Sequence, residues 1–238
     1  MLNLFENKSF INDGWIHYEN FLPSVERTVL ERDILGLTGT SDVATLSNFL
    51  VALDLKDRQA LFQLDQNFAK HPVITSLGNH FFSKIKSPKI GLFPIHLGGT
   101  LLLGLPSDER LTYSWHQESN YMFEFDYMVN VWIPLFLPAT KQNGAMSFIN
   151  GSHHRGKLPY ERVDKPEGYC DLVTDVTNFD LANNQHWCTT DHGNAYIFDQ
   201  NLIHRSNKNN TDITRFSITV RFAYSSTSQR VAGWKELY

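Results

Sequence analysis

Two short stretches of the sequence set an imidazole and a carboxylate two residues apart: His17-Tyr18-Glu19 and His116-Gln117-Glu118. On an extended strand, residues i and i+2 point to the same side, so either stretch could offer both groups to one divalent metal ion. The spacing alone is weak. With 10 histidines and 25 acidic residues among 238 positions, chance supplies about one such pair, and the chain has two. His17 lies among aromatic and apolar neighbours with no later partner matched to it, and reads as structural. His116 is followed by an ordered series of polar and glycine-containing blocks, and that context separates the two.

The elements that must position these groups follow from periodicity. After an extended stretch over Gly14–Phe21, Pro23-Ser24 opens a helix with Val25, Val29, Leu30, Ile34 and Leu37 on its apolar stripe. Further amphipathic helices start at Ser41, at about Lys56 and at Pro72. From Lys89 the period falls to two, with runs over Ile90–Leu97, Thr100–Leu103, Leu111–Glu118, Tyr127–Leu137, Ala145–Ile149, Ala195–Phe198 and Ile213–Tyr224. Many short strands at this spacing imply a sandwich or small barrel. The stretch from Lys157 to Gln185 is long, polar and irregular, and reads as a surface insertion or a lid.

Composition excludes several classes of function. A net charge of -4, with no basic run to track a phosphate backbone, argues against nucleic acid. The most apolar stretch, Val131–Ala139, is short and carries two prolines, and the amino terminus lacks a signal-peptide pattern, so a cytoplasmic protein without a membrane segment is expected. Cys170 and Cys188 form no Cys-x-x-Cys pair and read as free thiols. The length fits a single domain over 1–238, with a helical cover over 1–88 and a strand-rich core over 89–224.

The blocks after His116 run in a defined order: Trp115-His116-Gln117-Glu118, Trp132-Ile133-Pro134-Leu135, Asn143-Gly144-Ala145-Met146, Gly151-Ser152-His153, Gly193 to Asp199, then His204-Arg205-Ser206-Asn207 with Arg215. That series, with Asp13-Gly14-Trp15, resembles the phytanoyl-CoA dioxygenase family of iron(II)/2-oxoglutarate oxygenases. The resemblance implies a double-stranded β-helix (jelly-roll, cupin-like) core with amino-terminal helices packed on one sheet. It implies iron(II) bound by His116, Glu118 and His204, a 2-His-1-carboxylate triad that leaves positions open for 2-oxoglutarate and O2. Arg215, eleven residues past His204, would grip the distal carboxylate of 2-oxoglutarate, with Gln117, Trp132 and Ser206 around the co-substrate. The family's usual acid is Asp, so Glu118 is a departure, and Asp126 stands in reserve as a ligand. The activity implied is oxidation of an unactivated C–H bond of a small, polar metabolite, with release of succinate and CO2. The rival readings are a metal-binding cupin-like sensor and a Jumonji-type protein hydroxylase. The sequence leaves oligomeric state open.

Two further residues come from pattern and not from a defined role. His153 either touches substrate or hydrogen-bonds a loop. The strand Thr214–Phe222 alternates strictly, so Phe216, Ile218, Val220 and Phe222 face one way and Arg215, Ser217, Thr219 and Arg221 the other. Arg221 would then sit roughly 20 Å along the strand from Arg215. There it would anchor an anionic group of the substrate, pair with an acid of the 157–185 segment, or end the strand in solvent.

Overall fold

Short polar caps set the helical layer. The computed structural model describes residues 2–86, 92–110, 112–122, 125–165 and 170–226. Helix α1 (Lys8–Asp13) starts where the Asn7 side chain accepts from the Phe10 amide. Helix α2 (Ser24–Thr38) follows Pro23 and stops at Gly39. A reciprocal capping box between Asp42 and Thr45 opens α3 (Val43–Lys56), and Asp57 caps α4 (Arg58–Phe68). Helix α5 (Pro72–Lys84) begins on its proline, with the His71 ring accepting from the Val73 amide. On α2 only Leu30 and Ile34 of the expected stripe are buried, whereas Val25 and Leu37 are exposed, so the α2 stripe is narrower than the sequence suggested.

The strands are β1 (Trp15–Tyr18), β2 (Phe93–Gly104), β3 (Tyr127–Leu135), β4 (Ser147–Ile149), β5 (Tyr160–Asp164), β6 (Cys170–Thr174), β7 (Gln185–Trp187), β8 (Ala195–Asp199), β9 (His204–Arg205) and β10 (Arg215–Ser225). They form a five-stranded sheet in the order β1-β8-β3-β10-β2, a three-stranded sheet β7-β4-β9 and the pair β5-β6, with antiparallel neighbours throughout. The two larger sheets face each other through Trp132, Tyr196 and Phe198 on one side and Met146, Phe148 and Cys188 on the other. This is the expected double-stranded β-helix.

The outer face of the large sheet lies under the helices. Val129, Val131, Ile133, Phe216, Ile218, Val220 and Phe222 share one apolar core with Leu46, Leu50, Ile74, Leu77 and Phe81. Phe81 of α5 stacks on Phe222 with ring centroids 3.9 Å apart. Full burial of such a side chain stabilises the contact by about 1.5–3 kcal/mol.

Three strand expectations need correction. The runs Ile90–Leu97 and Thr100–Leu103 belong to the single strand β2, with residues 90 and 91 outside the described residues. Its period breaks because Leu97 and Gly98 together oppose one residue of β10, Arg221, a bulge at which Gly98 takes φ +94. Leu111 also lies outside the described residues, and 112–118 is not a regular strand: it makes one isolated bridge, at His116, before a 3-10 turn over Glu118–Asn120. The 157–185 stretch is less irregular than its composition suggested, because β5 and β6 lie within it. Strand β5 is exposed along its length, while β6 bonds inward through the Thr174 amide to the Trp115 carbonyl.

Candidate metal centre

A pair of backbone hydrogen bonds brings together two histidines that are 88 residues apart in sequence. The His116 amide donates to the His204 carbonyl at 2.9 Å and the His204 amide returns the bond at 3.0 Å, so the residues stand directly opposite one another with ring centroids 4.1 Å apart. Each ring is oriented by a carbonyl two residues earlier: His116 Nδ1 lies 2.7 Å from the Ser114 oxygen and His204 Nδ1 2.9 Å from the Leu202 oxygen. A carbonyl only accepts, so both rings carry the proton on Nδ1 and keep the Nε2 lone pair free for a metal. Burial, with His116 and Arg221 nearby, holds the pKa of His204 well below the ordinary histidine value, which keeps the imidazole neutral and ready to ligate.

Glu118 completes the set. Gln117 between them is extended (φ -115, ψ 137), which preserves the same-side geometry of His116 and Glu118 without a regular strand. His116, Glu118 and His204 are all buried, and one donor atom from each lies within 4.8 Å of the others. Two imidazole nitrogens and a carboxylate oxygen on one side form the donor set that suits iron(II) with positions left open. The two oxygens of Glu118 have separate partners. Oε2 lies 3.8 Å from His204 Nε2, and Oε1 accepts from Arg221 Nε at 2.7 Å.

Arg221 therefore departs from the solvent-exposed alternative. It is buried and does not end the strand in solvent, and its Nη1 donates to Thr100 Oγ1 at 3.1 Å. The alternating polar face of the strand turns inward, and there Arg221 meets a candidate metal ligand.

Arg215, the first residue of β10, lies six residues earlier on the same inner face. Its Nη1 donates to the Gly144 carbonyl at 2.7 Å, its guanidinium sits 5.9 Å from the Trp132 ring centre, and its Nε is buried without a partner. Gly144 supplies this carbonyl from a left-handed turn (φ +79) where an added Cβ would come within 2.4 Å of the Asn207 oxygen, so only glycine fits. Among the described residues Arg215 has no acidic partner. Burial lowers its pKa to about 10, partly offset by Cys188. A buried cation in this state suits an anionic ligand.

The remaining expected residues divide. Trp132 stands beside Arg215, and Ser206, two residues past His204, bonds through its amide to the Tyr113 carbonyl. Gln117 is turned away from its neighbours: its carboxamide donates to the Gly156 and Asn201 carbonyls and accepts from the Leu158 amide, so its bonding capacity goes to the 156–158 loop and the loop at Asn201. His153 takes the loop-bonding alternative, with Nε2 3.0 Å from the Ile11 carbonyl. Asp126 accepts from the Ser226 amide at 2.6 Å and stands outside the triad. His17 bonds Thr190 Oγ1 at 2.7 Å.

Two residues near the centre escaped the sequence reading. Asn130 stands opposite both Arg221 and Phe198 in the sheet, is fully buried, and has neither carboxamide atom bonded among the described residues. Its place two residues before Trp132 was the available signal, since alternation puts both on one face. Asp65, on α4, reaches into the sheet and accepts from the Leu101 amide at 2.6 Å. A lone acid on a helix gave no such signal.

A model of the family described as phytanoyl-CoA dioxygenase (PhyH) matches residues 13–217. A probable phytanoyl-CoA dioxygenase of Caenorhabditis elegans is 22% identical over 243 residues, covering 94% of this chain and 76% of its own length. Among solved structures, EvdO2 from Micromonospora carbonacea var. aurantiaca, complexed with 2-oxoglutarate, is similar with TM-score 0.57 and 17% identity over 94% of this chain and 93% of its own. The epimerase SnoN, in complex with Fe3+, alpha ketoglutarate and nogalamycin RO, is similar with TM-score 0.54 and 16% identity over 94% and 89%. At these identities the structural likeness establishes the fold.

Proposed function

The chain belongs to the phytanoyl-CoA dioxygenase family, and from that premise we propose that it is an iron(II)- and 2-oxoglutarate-dependent oxygenase acting on a small polar metabolite. The observation that carries the reading is a buried set of two oriented imidazoles and a carboxylate, with an unpaired guanidinium farther along the same interior. His116, Glu118 and His204 would hold iron(II) through one side, leaving three adjacent positions for a bidentate 2-oxo acid and dioxygen. Arg215 would bind the distal carboxylate of 2-oxoglutarate, with Trp132 and Ser206 beside it. Iron, when bound, supplies the oxidation itself. One oxygen atom of O2 goes to the C–H bond and the other to succinate, and the C1 carboxyl of 2-oxoglutarate leaves as CO2.

The protein's own part is to orient and to exclude water. The carbonyls of Ser114 and Leu202 fix the imidazole tautomers, and Phe198 packs edge-on against His204 at 4.8 Å. The unbonded carboxamide of Asn130 supports a polar substrate, because a buried amide left without a partner costs about 1–3 kcal/mol. Anaerobic titration of apoprotein with iron(II) and then 2-oxoglutarate tests the reading. A visible metal-to-ligand band, followed by succinate release on admitting oxygen, is expected. Iron binding with neither band nor succinate would overturn it in favour of a metal-sensing cupin-like protein.

A further inference from the structure

We propose that Arg221 is a positioning residue that holds Glu118 to one-oxygen coordination and so keeps a third metal position open. The inference rests on the iron and 2-oxoglutarate reading above, and it concerns how many positions the site offers. A carboxylate can bind a metal through one oxygen or chelate it through two. With two imidazoles, the first arrangement leaves three positions of an octahedron and the second leaves two. A bidentate 2-oxo acid and dioxygen together need three.

Glutamate has one more rotatable bond than aspartate, so Glu118 is the freer of the two to swing into chelation. The structure supplies a restraint against this. Oε1 is bound by Arg221 Nε at 2.7 Å, while Oε2 faces His204 Nε2 at 3.8 Å. Arg221 is itself held by Thr100 Oγ1 at 3.1 Å, and lies opposite the bulge at Leu97-Gly98. A charge-assisted hydrogen bond in a buried setting is among the stronger polar contacts a protein makes. The arginine thus claims one oxygen and leaves the other for metal.

The test counts metal-bound water and measures co-substrate binding separately from metal binding. Mn(II)-loaded wild type should hold three exchangeable waters, counted by water-proton relaxation. In Arg221→Met, which keeps the bulk but not the donor, the count should fall to two. Affinity for Mn(II) should be maintained or increased, whereas affinity for 2-oxoglutarate should fall by about tenfold or more, the scale of outer-shell effects at metal sites. Arg221→Lys, which returns a donor to Oε1, should recover both the water count and the affinity. An unchanged count and unchanged 2-oxoglutarate affinity in Arg221→Met would overturn the inference. So would loss of Mn(II) and 2-oxoglutarate binding together, which marks a collapsed site. If Arg221→Met does not fold, Arg221→Gln carries the same two measurements: with only a shorter, neutral amide, it too should lose a water and 2-oxoglutarate affinity, and wild-type values would overturn the inference. Wild type that binds no metal would instead remove the reading on which the inference rests.

Discussion

The inner face of the stretch Arg215–Arg221 in β10 has an arginine at each end, and the two are treated in opposite ways. Arg221 is buried against the carboxylate of Glu118, so the chain supplies the countercharge. Arg215 is equally buried, yet its contacts are a carbonyl and the face of an indole, and among the described residues no acid faces it. Burial of a charge is tolerated when a partner repays the lost hydration. One end is therefore complete as folded, and the other is built to be completed by an anion. Residue type and strand parity are the same at both ends, and only the surroundings separate a structural charge from a binding one.

Removing a metal ligand gives the largest effect. His204→Ala or His116→Ala should abolish iron binding, a loss beyond about a hundredfold, while the circular dichroism spectrum stays that of the folded protein. Near wild-type succinate production in either variant would show that the metal lies elsewhere. Next, Arg215→Ala should cost 2-oxoglutarate binding about 3–5 kcal/mol, orders of magnitude in the concentration required, and Arg215→Lys should recover part of it. Unaltered 2-oxoglutarate dependence would erase the distinction between the two ends.

The comparison is sharpened by stability without ligands. Arg215→Met removes an unpaired buried charge and should leave apoprotein stability unchanged or raise it by about 1–4 kcal/mol, whereas Arg221→Met strands Glu118 and should lower it by about 3 kcal/mol. Urea denaturation measures both, and shifts of the same sign would contradict the contrast. The smallest effect is on pH dependence. Burial raises the Asp65 carboxyl from 3.8 to about 6, with the field of Arg221 opposing the rise. The folded state then holds a proton that the unfolded state has released, so stability attributable to Asp65 is greatest below pH 4 and is lost as pH climbs through 6. Asp65→Asn, whose oxygen can still accept from Leu101, should flatten that fall, worth no more than about 3 kcal/mol. Parallel pH profiles in the two proteins would remove Asp65 as the source.

Legibility in the sequence tracked how local the cause was. The caps Asp42 and Asp57 and the first-turn Pro72 lie at the starts of their helices, and α3, α4 and α5 begin within two residues of where periodicity put them. Strand β10 was legible because polar and apolar residues alternate without a break from Arg215 to Phe222. Strand β2 was not, because its break in period belongs to a pairing made more than a hundred residues away. His116, Glu118 and His204 could be named from order and spacing, yet their convergence rests on a backbone bridge that no pattern announces. The partner of Glu118 was out of reach for the same reason. Gln117 illustrates the opposite failure, in which a position beside two ligands is occupied by a residue whose own bonds lead to two loops.

The bulge in β2 separates fold from site in a way that can be read as an insertion. On one side of it Thr100 and Leu102 point inward, and on the other Ile95 and Leu97 do, so the alternation changes parity across Gly98-Gly99. Striking out Gly98 would restore an uninterrupted alternation with every side chain on its present face. A chain shortened by that one residue should thus still form its sheets, as far-UV circular dichroism would show, while the backbone opposite Arg221 straightens and Mn(II)-loaded protein loses affinity for 2-oxoglutarate. Failure to fold would mean that the extra residue serves the sheet itself. Otherwise β2 carries a residue that the architecture can spare, and changes in strand length at this point would alter the centre before they disturb the barrel.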